Sequence, residues 1–182
     1  RNSNDSQTLL KTDEQAKSGI VVDEIEKTFA ISNFGIRKAL DKVSFTCPQD
    51  QVTVLLGPNG AGKSTLMNIM CGTLKPDTGS VRIDGHLMDR EPELARKSLG
   101  MCPQFDIVID GLTPLQHLLF FAQLKGSSKD SALEESENLL SKMKLESKTN
   151  TPVEDLSGGM RRKLSLAIAL CGGSRAIVLD EP

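Results

Sequence analysis

No apolar run in this 182-residue sequence approaches the roughly 18 residues that a membrane-spanning helix needs. Its opening, "RNSNDSQTLL", also lacks the apolar core of a secretion signal. Cysteine is sparse: Cys47, Cys71, Cys102 and Cys171 stand far apart and form no C-x-x-C pair, which argues against a zinc knuckle and against a disulfide framework. Reduced thiols are expected. No excess of one charge exists either, because 22 Lys and Arg against 24 Asp and Glu leave a formal net charge of −2. Such a balance gives no global attraction to nucleic acid, so no nucleic-acid partner is expected and any anion site must be local. Internal repeats, low-complexity runs and an initiator Met are missing as well, and the chain is expected to be a piece of a longer polypeptide.

What is present is globular: 38% apolar and 25% charged residues, enough for one ordinary domain with a core. Residues 1–18 read as a polar tail or linker, with structure beginning near Gly19. "IVVDEIEKTF" (20–29) and "ALDKVSFT" (39–46) read as short strands, and the more continuously apolar "QVTVLL" (51–56) reads as a central strand running into glycine. A helix is predicted from Gly62 to about Cys71, then the turn "KPDTGS" (75–80), the strand "VRID" (81–84) and a polar helix over 91–98. Thr113 and Ser131 are the expected N-caps of an apolar and an amphipathic helix. A further helix follows the glycine pair at 158–159, and "AIVL" (176–179) reads as a buried terminal strand tipped by Asp180 and Glu181.

"GPNGAGKST" fits G-x-x-x-x-G-K-[ST] over Gly57, Pro58, Asn59, Gly60, Ala61, Gly62, Lys63, Ser64 and Thr65. Its three glycines let the backbone curl so that successive N–H groups can face phosphate oxygens, and the following helix adds its positive N-terminal end. Lys63 can reach the β- and γ-phosphates of a nucleotide as a point charge, and the Ser64 hydroxyl suits Mg2+. The terminal acids complement this loop. A carboxylate at the end of a hydrophobic strand, here Asp180, can hold the metal through water, while Glu181 is suited to polarising an attacking water.

Between these two stretches lies "DLSGGMRRKLS" (155–165), and here the sequence resembles the nucleotide-binding domain of an ABC ATPase. In that family the LSGG stretch, matched by Leu156, Ser157, Gly158 and Gly159, lies across the ATP held by a partner domain. "GMCPQFD" (100–106) resembles the family's Q-loop, implying that Gln104 sits near Mg2+ and the hydrolytic water and couples the site to membrane helices. Phe29 stands where the family stacks an aromatic ring on adenine, with Phe34 as the competing candidate. "GMCPQ", "LTPLQHLLFFAQLKG" and "LSGGMRRKLSLAIAL", with Met160 in place of a more usual Gln, resemble the A subfamily of ABC transporters, associated with lipid movement, and the first of its two nucleotide-binding domains.

The resemblance implies an α/β P-loop NTPase (ABC ATPase) core with a mainly parallel sheet, an antiparallel β subdomain from residues around 20–50 and 78–100, and an α-helical subdomain from about 105 to 157. Residues 19–182 would form a partial nucleotide-binding domain. The implied function is binding and hydrolysis of ATP with Mg2+ at the cytoplasmic face of a multi-pass membrane transporter. Its partners would be a second nucleotide-binding domain in a head-to-tail ATP sandwich and the transmembrane domains of the same polypeptide. The family pattern continues past "LDEP" with further strands and a switch histidine. Neither His86 nor His117 stands in that place, since both precede the signature, and the 182 residues alone are expected to lack turnover. Two alternatives stay open at this point: a soluble ABC ATPase acting on ribosomes or DNA, and a nucleotide-dependent interaction module without turnover.

Overall fold

The computed structural model describes residues 18–31 and 35–181, in two compact units divided between Ser98 and Leu99. The tail expected over 1–18 lies outside the described residues except for Ser18, and so do Phe34 and Pro182.

In the first unit, β1 (Ser18–Ile31) and β2 (Gly35–Pro48) form an antiparallel hairpin, and β3 (Thr78–Ile83) and β4 (His86–Leu87) complete an antiparallel sheet in the order β2-β1-β3-β4. Both predicted strands exist and are longer than expected, while the turn over 75–80 is shortened by the early start of β3. Ile20, Val22 and Ile25 are all buried although strict alternation would turn Ile25 outward. The register shifts between Val22 and Ile25, where Glu24 adopts φ 45°, and this bulge brings the following residues back to the core face. Helix α1 (Lys63–Met70) buries Leu66, Ile69 and Met70, and the short α2 (Pro92–Lys97) buries Ala95.

"QVTVLL" departs from expectation. Residues 51–56 form no strand and are exposed, with Val52 at 92% and Leu56 at 84%. Among the described residues no strand is hydrogen-bonded to this segment. A β-prone sequence becomes a strand only when a neighbour accepts and donates its ladder bonds.

In the second unit, β5 (Leu99–Cys102) pairs in parallel with β6 (Ala176–Leu179), from Leu99 opposite Ala176 to Cys102 opposite Leu179. This is the one parallel pair among the described residues, and it takes 99–102 out of the antiparallel region expected to reach residue 100. Helices α3 (Pro114–Leu124), α4 (Lys129–Lys142) and α5 (Gly158–Leu170) enclose a core of Leu118, Leu140, Leu145, Val153, Leu156, Leu164 and Ile168. Thr113 caps α3 as predicted, in a reciprocal capping box with Gln116. The α4 cap is Ser128, whose hydroxyl accepts from the Ser131 N–H, so the helix starts three residues before the expected Ser131 start. His117 is fully buried. Its Nε2 accepts from the Ile109 N–H and its Nδ1 lies 2.8 Å from the Thr113 carbonyl, which requires the neutral tautomer with the proton on Nδ1 and gives this residue a structural role.

All four cysteines are free. Burial pushes the Cys71 and Cys171 thiols up to about 11, which keeps them protonated at neutral pH.

Gly100 packs β5 directly on α5: a Cβ there would clash with the carbonyl oxygen and carbon of Ala169, both of them backbone atoms. Gly100→Ala is therefore expected to destabilise this unit by about 3 kcal/mol, in the range of core overpacking. Thermal or denaturant unfolding checks it, and a midpoint unchanged from the parent would contradict this packing.

Candidate active site

In the first unit, Gly57–Thr65 leads directly into α1. Residues 57–61 are exposed, a turn closes with the Ala61 N–H donating to Pro58 O, and the helix starts at Lys63. The cap residue Gly62 has φ 92°, and an added Cβ would meet Ala39 O at 2.6 Å and Leu40 Cδ2 at 2.9 Å. Only glycine fits this turn. No side chain caps the helix, so its first N–H groups remain for another acceptor. Lys63 Nζ donates to Gly57 O at 2.7 Å and Pro58 O at 3.0 Å, which folds its charge back over the loop. Ser64 is exposed and Thr65 half-buried.

Phe29 is 39% exposed, so it is not an ordinary core phenylalanine, and Lys27 Nζ lies 5.7 Å from its ring centroid. Asp77 holds that lysine at 2.8 Å; the hydrogen bond from Lys27 and that from the Thr28 N–H keep the Asp77 carboxyl below its usual range. Sequence reasoning missed Arg37. It lies opposite Phe29 in the hairpin register, and its Nη2 donates to Gly60 O at 3.0 Å, adding a second cation to the loop. The only sequence signal was the basic pair Arg37 and Lys38, just before the strand expected over 39–46.

In the second unit, the Asp180 N–H donates to Cys102 O and extends the β5–β6 ladder by one bond, leaving Asp180 half-buried at the strand tip. Glu181 then turns out of the strand with φ 46°, a left-handed conformation that costs a non-glycine residue about 1–3 kcal/mol. Gln104 Nε2 donates to Glu181 Oε2 at 2.8 Å, so the predicted Q-loop amide and the predicted base are directly joined. Arg162 of α5, which sequence reasoning did not single out, donates to the backbone carbonyls on both sides of this pair.

Ser157 is the N-cap of α5, its hydroxyl oxygen accepting from the Met160 N–H at 3.3 Å, while Arg161 donates to Leu156 O at 2.8 Å and buried Leu156 anchors the turn. Ser157, Gly158 and Gly159 are exposed, and a Cβ at either glycine would meet nothing within 4 Å. Nothing in this unit requires glycine at those two places. Among the described residues, no group of three or more His, Cys, Asp or Glu is arranged to hold a metal, and no helix is long and apolar enough to cross a membrane.

Comparison with solved structures gives the class. The chain superposes on a dimeric bacterial ABC transporter cassette with a TM-score of 0.78 at 27% identity, covering 90% of this chain and 74% of that one. A post-hydrolysis dimer of the same cassette, bound to ADP and Pi, gives 0.77 at 26% identity with the same coverage. The fold is the α/β P-loop ATPase fold, with an antiparallel sheet and helices among its elements. Residues 40–182 match the family described as ABC transporter, and the chain belongs to that family. It is 45% identical over 164 residues to the retinal-specific phospholipid-transporting ATPase ABCA4 of Mus musculus, covering 90% of this chain and 7% of that protein. To the human phospholipid-transporting ATPase ABCA3 it is 43% identical over 169 residues, 93% of this chain and 10% of that protein. The chain thus spans a tenth or less of the length of these relatives.

Proposed function

We propose that this chain is part of the nucleotide-binding domain of an ABC transporter of the A subfamily, a domain that binds and hydrolyses Mg-ATP to drive movement of lipid across a membrane. The observation that carries the reading is the 2.8 Å bond from Gln104 to Glu181, which pairs an amide able to orient water with a carboxylate able to take its proton. Gly57–Thr65 would wrap the triphosphate and Lys63 would offset the β/γ charge. Phe29, with its exposed ring, would stack on adenine. The metal arrives as part of the substrate, and the donors assigned to it, the Ser64 hydroxyl, the Gln104 amide oxygen and the Asp180 carboxylate, are the hard oxygen ligands that magnesium accepts. In the chemical step the water oxygen attacks the γ-phosphorus as Glu181 removes its proton, and the bond from that phosphorus to the β-phosphate oxygen breaks to give ADP and phosphate.

The phospholipid-transporting relatives support lipid as cargo, and the cassette dimers support a second nucleotide-binding domain as partner. Residues 19–182 would form part of this domain, with 105–157 as its helical subdomain. Membrane helices of the same polypeptide would complete a transporter with this domain on the cytoplasmic face.

Ser157, Gly158 and Gly159 would close over the partner's nucleotide, which accounts for exposed glycines set in open space. Gly158→Asp tests this. The side chain has room, and an acid in the first turn of α5 favours the helix, so the variant should fold. In the reconstituted full-length protein it is expected to lower phosphate release by about tenfold or more through charge repulsion beside the γ-phosphate, with ATP affinity at this domain nearly unchanged. Affinity falling with turnover would remove the in-trans role.

A further inference from the structure

Arg162 uses every N–H of its two terminal nitrogens on backbone carbonyls. Nη1 donates to Pro103 O at 2.6 Å and Gln104 O at 3.3 Å, and Nη2 donates to Asp180 O at 3.0 Å and Glu181 O at 2.7 Å. One nitrogen therefore grips the Q-loop and the other grips the end of β6. The two segments bridged by this fork carry Gln104 and Glu181, whose side chains are bonded to each other. Asp106 adds to the arrangement: its Oδ1 lies 3.8 Å from Arg162 Nη1 and accepts from the Ser165 hydroxyl at 3.4 Å. The Arg162 side chain is 24% exposed, which strengthens charge-assisted bonds relative to those at an open surface. Its Cα sits on α5, one helical turn beyond Gly158 at the exposed start of that helix.

We infer that Arg162 is a positioning residue for hydrolysis, a fork that sets the distance between Gln104 and Glu181 and ties that distance to the first turn of α5. The inference rests on the ATPase reading above. A guanidinium is the side chain that can do this, because its planar donors reach two carbonyl pairs at once, whereas an ammonium donates from a single point. Glu181 also needs such support, since its left-handed backbone conformation persists only where its surroundings impose it. Any tilt of the start of α5, as when a ligand engages Ser157–Gly159, moves the fork and with it the pair that handles water. Arg162 would touch neither nucleotide nor water.

The test uses the full-length protein reconstituted in phospholipid vesicles, with Arg162→Ala, Arg162→Lys and the control Lys63→Ala. Phosphate release gives kcat, and azido-ATP photolabelling read on peptides of this chain gives affinity. Arg162→Ala is expected to lower kcat by about tenfold or more, since misplacement of reacting groups by a fraction of an ångström acts on the chemical step, while affinity changes by less than about twofold. Added guanidinium at low millimolar concentration should raise kcat in this variant. Arg162→Lys should recover only part of the loss, and it carries the test if the alanine variant fails to fold. Turnover close to the parent in Arg162→Ala, equal losses of affinity and kcat, or full recovery with lysine would each overturn the proposal. If Lys63→Ala leaves turnover intact, the ATPase reading beneath it falls too; if Lys63→Ala abolishes turnover and the Arg162 variants do not lower it, only the positioning role falls.

Discussion

Lys63→Ala is expected to weaken ATP binding at this domain by about 2–3 kcal/mol, roughly thirty- to a hundred-and-fiftyfold, the usual worth of hydrogen bonds to a charged partner. Lys63 Nζ sits over the loop on the Gly57 and Pro58 carbonyls, which are weak competitors for a dense anion. A triphosphate offers charged oxygens in their place, and no other residue of the loop carries a positive charge. Arg37 reaches the loop only at Gly60 O, from the neighbouring hairpin. The substitution should not harm the fold, because Lys63 is only half-buried and alanine suits the first turn of a helix at least as well. Azido-ATP photolabelling with unlabelled ATP as competitor, read on peptides of this chain, measures the effect. Unchanged affinity would mean that the phosphate loop is misassigned.

Glu181→Gln should retain ATP affinity and lower phosphate release by about a hundredfold or more, the range of a lost general base. The amide keeps the size of the carboxylate, and its oxygen can still accept from Gln104 Nε2, as Glu181 does at 2.8 Å. It cannot take a proton from water at neutral pH. With chemistry blocked and binding intact, nucleotide retained on this chain should remain triphosphate, and the closed pair of domains should accumulate. Chromatography of nucleotide recovered from the washed protein decides the matter. Mostly diphosphate, formed at the parental rate, would exclude Glu181 as the base.

The legible parts of this site were those in which chemistry is written in adjacent residues. The Gly57–Thr65 loop is contiguous, although the close approach that holds Gly62 to glycine comes from Ala39 and Leu40 of β2. Thr113 and Gln116 declare a capping box three residues apart. Ser128 against Ser131 was harder, because both are serines near the start of one amphipathic run and local pattern does not rank them. The burial of Ala132, Ser136, Leu139 and Leu140 fits the earlier start.

By itself the sequence determined the glycine-rich loop before a helix, the acid-tipped strand and the family, since each depends on short-range spacing and side-chain type. Tertiary structure alone decided what depends on distant backbone. Residues 51–56 have strand composition and form none, because a ladder needs a partner and the described residues supply none. Ile25 turns inward through a bulge set by its neighbouring strands. Gln104 and Glu181 meet across 77 positions of sequence, and Arg162 reaches both of their backbones. Main-chain carbonyls exist at every residue, so no side-chain pattern announces which four of them one guanidinium will hold.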